Sequence, residues 1–162
     1  LYNIPSNAKN HIKASLFAKL AGKYPHITGM KESSMDFSNF CELVDVAQPH
    51  HVKLMGNDAQ ILPSLLIGGS GAVSAGSSAL PEPYVNLYNA YEKGDLEEAR
   101  KWQTVCAQVK KMLVKPYPIA PQKKVLELRG IISSPVKAPL RSMNRQETEE
   151  LKRQLQALGY LN

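Results

Sequence analysis

Apolar and polar positions switch between two periods along this chain. Tyr2–Ile4 reads as the tail of a strand. Across Ala8–Ala21, the positions of Ile12, Leu16, Phe17 and Leu20 recur at helical spacing, and Gly22 follows as a stop signal. His26–Lys31 is an apolar run of strand length. Asp36 predicts the cap of a helix through about Ala47, with Phe37, Phe40, Cys41 and Val44 facing inward. Val52–Gly56 predicts a further strand, and Asp58 the cap of a short helix ending at Gly68-Gly69. Ala72–Gly76 predicts another strand, and Pro83–Lys93 a helix that Gly94 ends. Beyond this point the period of two disappears. Asp95 and Glu98 have the spacing of a capping box opening a helix to about Val114, which Pro116 and Pro118 break. Gln122–Arg129 predicts a helix closed by Gly130, and Pro135–Pro139 a loop. Asn144 and Glu147 predict a second capping box, for a helix that runs to Leu158 before Gly159.

Strands and helices alternating at this spacing imply parallel strands joined by crossover helices. The strand-end positions Tyr2, Lys31, Gly56 and Val73 are separated by 29, 25 and 17 residues. A (β/α)8 barrel allots roughly 30 residues to each unit. The pattern therefore predicts an α/β fold, half of such a barrel over residues 1–94, followed by a region of three helices over 95–162. Four strands cannot close the barrel, so the other four are expected from a missing N-terminal half or from a second copy. The absence of an initiator Met, with a start inside an apolar segment, fits the later part of a longer protein.

Composition narrows the class. Of 162 residues, 43% are hydrophobic and 21% charged, which is ordinary globular usage and excludes collagen, coiled coil and long disorder. No apolar run approaches the roughly 20 residues of a membrane-spanning helix. The net charge of +6 comes from 20 basic and 14 acidic residues mixed over several helices, without a basic block or interleaved aromatics. That is the pattern of a solvated helix surface, not of nucleic-acid binding. Cys41 and Cys106 are too few for a disulfide framework or a zinc site, and predict buried or half-buried thiols in a reducing, cytoplasmic setting. His11, His26, His50 and His51 lack metal-ligand spacing and read as surface or cap residues. Gly68-Gly69-Ser70-Gly71 leads into a strand and reads as a turn, not as a phosphate loop. No metal or cofactor is implied.

In parallel α/β folds the chemistry gathers at the C-terminal ends of strands. Lys31 ends an apolar run there. One reading is a surface lysine paired with Glu32. The other is a lysine desolvated at a barrel mouth, which lowers the amine's pKa and allows attack on a ketone to form a Schiff base. Tyr2 likewise reads either as a packed ring with its hydroxyl at the rim or as a proton relay. If their strands are neighbours, both tips point into one mouth.

The ordered set Tyr2-Asn3-Ile4-Pro5-Ser6, Gly29-Met30-Lys31-Glu32-Ser33-Ser34, Gly56-Asn57-Asp58 and Gly68-Gly69-Ser70-Gly71-Ala72-Val73-Ser74 resembles the dihydrodipicolinate synthase / N-acetylneuraminate lyase family of class I aldolases. In the tail, Lys115-Pro116-Tyr117-Pro118-Ile119 with Lys123, and Ala138-Pro139-Leu140, resemble the same family's C-terminal helical segments. The resemblance spans essentially the whole chain but only the second half of the family's barrel (strands five to eight) and its C-terminal helices. It implies a lyase that makes or breaks a C–C bond between pyruvate, or another 2-oxo acid, and an aldehyde. Lys31 would form the imine and Tyr2 would relay the proton. The Val73 carbonyl would lie near the lysine. Gly56 and Asp58 would line the pocket mouth, and Ser33 would hydrogen-bond the distal part of the substrate, with Ser74 and Ser77 as lesser candidates.

Two positions depart from the family's pattern. Members that make dihydrodipicolinate carry a carboxylate-clamping arginine where this chain has Asn7, and a neutral amide cannot form a charged bidentate clamp. Lyases for sialic acid carry a glutamate where this chain has Ala59. These departures point to another 2-oxo acid, such as a 2-keto-3-deoxy sugar acid. Dihydrodipicolinate synthesis is the alternative, and a non-catalytic 2-oxo-acid-binding or interaction protein is the alternative of another class. A homotetramer or dimer is implied by the family. The family's pyruvate-carboxylate loop and relay threonine belong to its first half and have no counterpart in these residues.

Overall fold

A computed structural model describes residues 1–114 and 117–161. Lys115 and Pro116 of the tail motif lie outside the described residues. Four parallel strands, β1 (Tyr2–Asn3), β2 (Gly29–Glu32), β3 (Val52–Met55) and β4 (Gly71–Ala72), form one sheet in the order β1-β2-β3-β4. Crossover helices join them: α1 (Pro5–Ala8) and α2 (Ala14–Lys23) after β1, α3 (Phe37–Val46) after β2, and α4 (Ile61–Leu66) after β3. Next come α5 (Ala75–Ala79), α6 (Glu82–Glu92), α7 (Leu96–Leu113), α8 (Ala120–Leu128) and α9 (Arg145–Ala157). Among the described residues no strand occurs after β4. No described helix is long and apolar enough to cross a membrane.

Successive strand residues face opposite sides, so each strand divides its side chains between two environments. Asn3, Met30, Glu32 and Met55 are buried. Their neighbours Tyr2 and Lys31 sit on the other face, level with each other in register, and Tyr2 is 47% exposed. Helices α2 and α3 cover the first face, and Tyr2 and Lys31 lie on the other. Lys31 and Glu32 therefore point apart and do not pair.

The interior has two apolar clusters. Phe17, Phe40, Leu43, Met30 and Met55 join α2 and α3 to the sheet. Leu65, Leu80, Leu87, Val109, Leu113, Val125 and Leu155 join α4 and α6 to α7, α8 and α9. The helices beyond residue 95 thus share a core with the last β/α units.

Several local expectations need correction. The helix expected over Ala8–Ala21 starts at Ala14. The preceding chain turns at Lys9, whose φ is 54°. It is then held by side chains: Asn3 Oδ1 accepts the Ile12 N–H at 2.9 Å and Asn39 Oδ1 the Ala14 N–H at 3.1 Å. The strand expected over His26–Lys31 begins only at Gly29, because Ile27 N–H closes a turn onto the Tyr24 carbonyl. Asn57, not Asp58, caps the turn after β3, accepting the Ala59 N–H at 3.2 Å. The strand expected over Ala72–Gly76 ends at Ala72, since the Ser74 hydroxyl caps α5 through the Ser77 N–H. Asp95 caps α7, but the Glu98 carboxylate turns to Lys101 instead of closing the box. The Asn144–Glu147 box is complete. His51 is buried and not at the surface, with its ring edge against Phe17 and its Nδ1 accepting the Gln48 N–H at 3.0 Å.

Candidate functional site

The C-terminal ends of β1, β2, β3 and β4 carry the sequence-derived candidates side by side. Tyr2 and Lys31 are directly paired across the β1–β2 ladder, and Lys31 Nζ lies 4.3 Å from the centre of the Tyr2 ring. The expected meeting of these two tips is present in the fold.

What holds them level lies on the opposite face. Asn3 and Glu32, the next residues along each strand, are also in register. Glu32, 1% exposed, accepts a hydrogen bond from Asn3 Nδ2 at 2.7 Å, one from Asn39 Nδ2, and one from the Ser34 N–H at 2.5 Å. Asn39 belongs to α3, and the Oδ1 acceptors of both asparagines fix the approach to and the start of α2. A buried carboxylate with three donors is well satisfied, and such networks impose one arrangement on the elements they join. Glu32, Asn3 and Asn39 were not picked out as site residues from the sequence. The available signal was a pair of polar residues at strand positions that alternate with Tyr2 and Lys31.

Ser33 and Gly56 meet at the ends of β2 and β3. Gly56 N–H donates to the Glu32 carbonyl at 2.7 Å, and a Cβ at position 56 would overlap Ser33 Oγ. Glycine is required here by close approach, not by an unusual φ. Ser33 Oγ is buried without a hydrogen-bond partner among the described residues.

Asp58 is 6% exposed, and its Oδ2 accepts the Tyr84 hydroxyl at 3.0 Å. Burial, and then the Asp58 carboxylate, push the Tyr84 phenol well above its ordinary range, so it stays a neutral donor. Burial followed by the same carboxylate raises the Cys106 thiol to about 12, an inert thiol. Val73 follows β4, is exposed, and its N–H donates to the Met55 carbonyl at 3.0 Å. Ser74 and Ser77 are engaged with each other at the α5 cap. Asn7 stands on α1 at the surface, where its Oδ1 accepts the Ser6 hydroxyl at 3.0 Å. Among the described residues no group of three or more metal-ligating side chains occurs.

The sequence profile of the dihydrodipicolinate synthetase family matches residues 1–158. A 4-hydroxy-tetrahydrodipicolinate synthase of Methanopyrus kandleri is 34% identical over 99% of this chain and 54% of its own length. A DapA-like lyase of Halobacterium salinarum is 35% identical over 99% of this chain and 52% of its own. The crystal structure of YagE, a prophage protein of the dihydrodipicolinic acid synthase family from E. coli K12 in complex with pyruvate, superposes with a TM-score of 0.91. It is 28% identical and covers 99% of this chain and 55% of that one. The chain spans about half the length of the curated relatives it matches. With the profile running from its first residue to the end of its last helix, the chain belongs to the dihydrodipicolinate synthetase family.

Proposed function

We propose that this chain provides strands five to eight and the C-terminal helical region of a (β/α)8-barrel lyase. Residues 1–94 supply the half-barrel and residues 95–162 the helical region. Strands one to four, supplied by an N-terminal half, complete the active site. The enzyme makes or breaks a C–C bond between pyruvate, or a related 2-oxo acid, and an aldehyde. The observation that carries this reading is the register pair of Tyr2 and Lys31, with the amine 4.3 Å from the ring.

The chemistry follows from those two groups. The Lys31 amine adds to the ketone carbon, and loss of water gives an imine. The protonated imine withdraws electrons from the neighbouring carbon, so that a C–C bond there can form or break. The Tyr2 hydroxyl carries a proton to or from the reacting oxygen. The Ser33 hydroxyl, buried beside Gly56 without a partner among the described residues, is the hydrogen-bonding group for the distal part of the substrate. Asp58 contributes by anchoring the turn that starts at Gly56, and Val73 by its carbonyl.

Relatives named 4-hydroxy-tetrahydrodipicolinate synthase favour a second reading, in which the aldehyde is aspartate semialdehyde. Asn7 argues for the first reading, because it cannot clamp a carboxylate with paired charged hydrogen bonds. Cys41 and Cys106 are both free thiols, which supports a reducing compartment. The test is to treat the complete protein with pyruvate and borohydride and map the adduct by peptide mass spectrometry. One reduced adduct is expected at Lys31, lost together with turnover in Lys31→Ala. An adduct at Lys53 or Lys123 instead would overturn the assignment.

A further inference from the structure

Helix α7 lies outside the β/α units, yet two of its residues, Gln103 and Lys110, reach the turn after β3. Gln103, Cys106 and Lys110 are spaced three and four apart and so share one face of the helix. Gln103 Nε2 donates to the Asp58 carbonyl at 2.8 Å, while its Oε1 accepts the Leu62 N–H at 2.7 Å. Lys110 Nζ donates to Asn57 Oδ1, the same oxygen that caps the turn. Cys106 is fully buried between these two contacts.

The connection continues past the turn. The Asp58 carboxylate accepts the Tyr84 hydroxyl, and Tyr84 lies on α6. A Cβ on Gly76 would overlap the Tyr84 hydroxyl and come within 2.8 Å of Asp58 Oδ2. A single tyrosine thus touches the turn after β3 through Asp58 and the start of α5 through Gly76. Gly56 directly precedes the first segment and Val73 the second.

We propose that Gln103, Lys110 and Tyr84 are positioning residues, and that α7 is a strut setting the two mouth segments after β3 and β4. This rests on the functional reading above for its kinetic consequence. Lys31 and Tyr2 are held independently, through Glu32, Asn3 and Asn39 on β1, β2 and α3. The strut therefore acts on recognition of the second substrate and not on imine formation.

The test uses the full-length protein and the variants Gln103→Met, Lys110→Met, Lys110→Arg and Tyr84→Phe. Amide hydrogen exchange should accelerate on the order of tenfold or more at residues 57–62 in both Met variants, as expected for one hydrogen bond lost in Lys110→Met and two in Gln103→Met. In Gln103→Met it should also accelerate at 74–77, with residues 2–3 and 29–33 unchanged. Combining Gln103→Met with Tyr84→Phe should confine the effect of the former to 57–62. Pyruvate trapping at Lys31 should stay within about twofold of wild type, while KM for the aldehyde rises on the order of tenfold with kcat little changed. The aldehydes to assay are glyceraldehyde and aspartate semialdehyde. Lys110→Arg keeps a donor and should restore both exchange and KM. Uniform acceleration across the chain, no acceleration, or an unchanged KM despite local acceleration would each overturn the proposal. A wild type that neither traps pyruvate nor turns over either aldehyde removes the functional reading instead. Exchange alone then decides whether the strut exists.

Discussion

Replacing Glu32 with Gln removes a buried charge and almost no volume, so it isolates the network beneath Tyr2 and Lys31. Glu32 accepts from Asn3, Asn39 and the Ser34 N–H. A hydrogen bond to a charged group contributes about 1.5–3 kcal/mol against about 0.5–1.5 for a neutral one, so three bonds weaken by about 1 kcal/mol each. The new amide nitrogen also faces a donor it cannot accept from, at a cost of about 1–3 kcal/mol. Relief of the buried charge offsets part of this, on the order of 2 kcal/mol. The net loss should be about 2–4 kcal/mol. Urea titration of the complete protein at neutral pH reads it: with m near 2 kcal/mol/M the midpoint should fall by about 1–2 M at unchanged m. Glu42, exposed on α3, is the control, and Glu42→Gln should move stability by no more than about 0.5 kcal/mol. Equal shifts in the two variants would refute the idea that this carboxylate locks β1 to β2.

Three further outcomes are expected. Tyr2→Phe keeps the ring beside Lys31 and removes only the proton carrier, so kcat should drop by ~10²–10³-fold in steady-state assays of the complete enzyme; an unchanged kcat would make Tyr2 a packing residue. Asn7→Arg should raise kcat/KM for aspartate semialdehyde by roughly 10–100-fold, the worth of a charged bidentate contact; efficient use of that aldehyde by the unmodified protein would remove the preference for another substrate. Burial, then His50 and Lys53, lower the pKa of His51 below its ordinary value. The unfolded chain therefore takes up a proton first, and the stability this group contributes is present above about pH 6.5 and lost as pH falls below it. His51→Gln should flatten that part of a urea-midpoint profile between pH 5 and 8, and a profile identical to wild type would show that another group is responsible.

The order and direction of the strands were readable because each apolar run ends in a glycine or polar turn at barrel-like intervals. Lys31 was readable as a strand-end candidate for the same reason: it ends such a run. The faces were less accessible. Lys31 and Glu32 are neighbours in sequence and opposites in space, and only the packing of α3 on the sheet makes Glu32 a buried acceptor. Asp58 presented itself as a cap and a mouth residue. Its partner Tyr84 lies 26 positions later, and nothing local to either residue reveals the pairing. Helix boundaries failed where side chains replaced backbone partners, as Asn3 and Asn39 do before Ala14 and Ser74 does after Val73.

Phe17, Phe40 and Met55 pack in one apolar cluster, and Leu65, Leu87 and Val109 in another. The first cluster backs the strands that carry Tyr2 and Lys31; the second backs Asp58, Tyr84 and α7. A lineage can drift in the second cluster, repacking its leucines and tilting its helices by small steps, while the first stays under strict selection. Core exchanges that conserve volume usually cost less than about 1.5 kcal/mol, so many such steps are tolerated. Under the proposed function, substrate preference can then diversify by duplication and divergence while the strands that carry Tyr2 and Lys31 keep their packing. The same separation offers protein engineers a place to randomise, in the interior of the helical layer and apart from the strands that carry Tyr2 and Lys31.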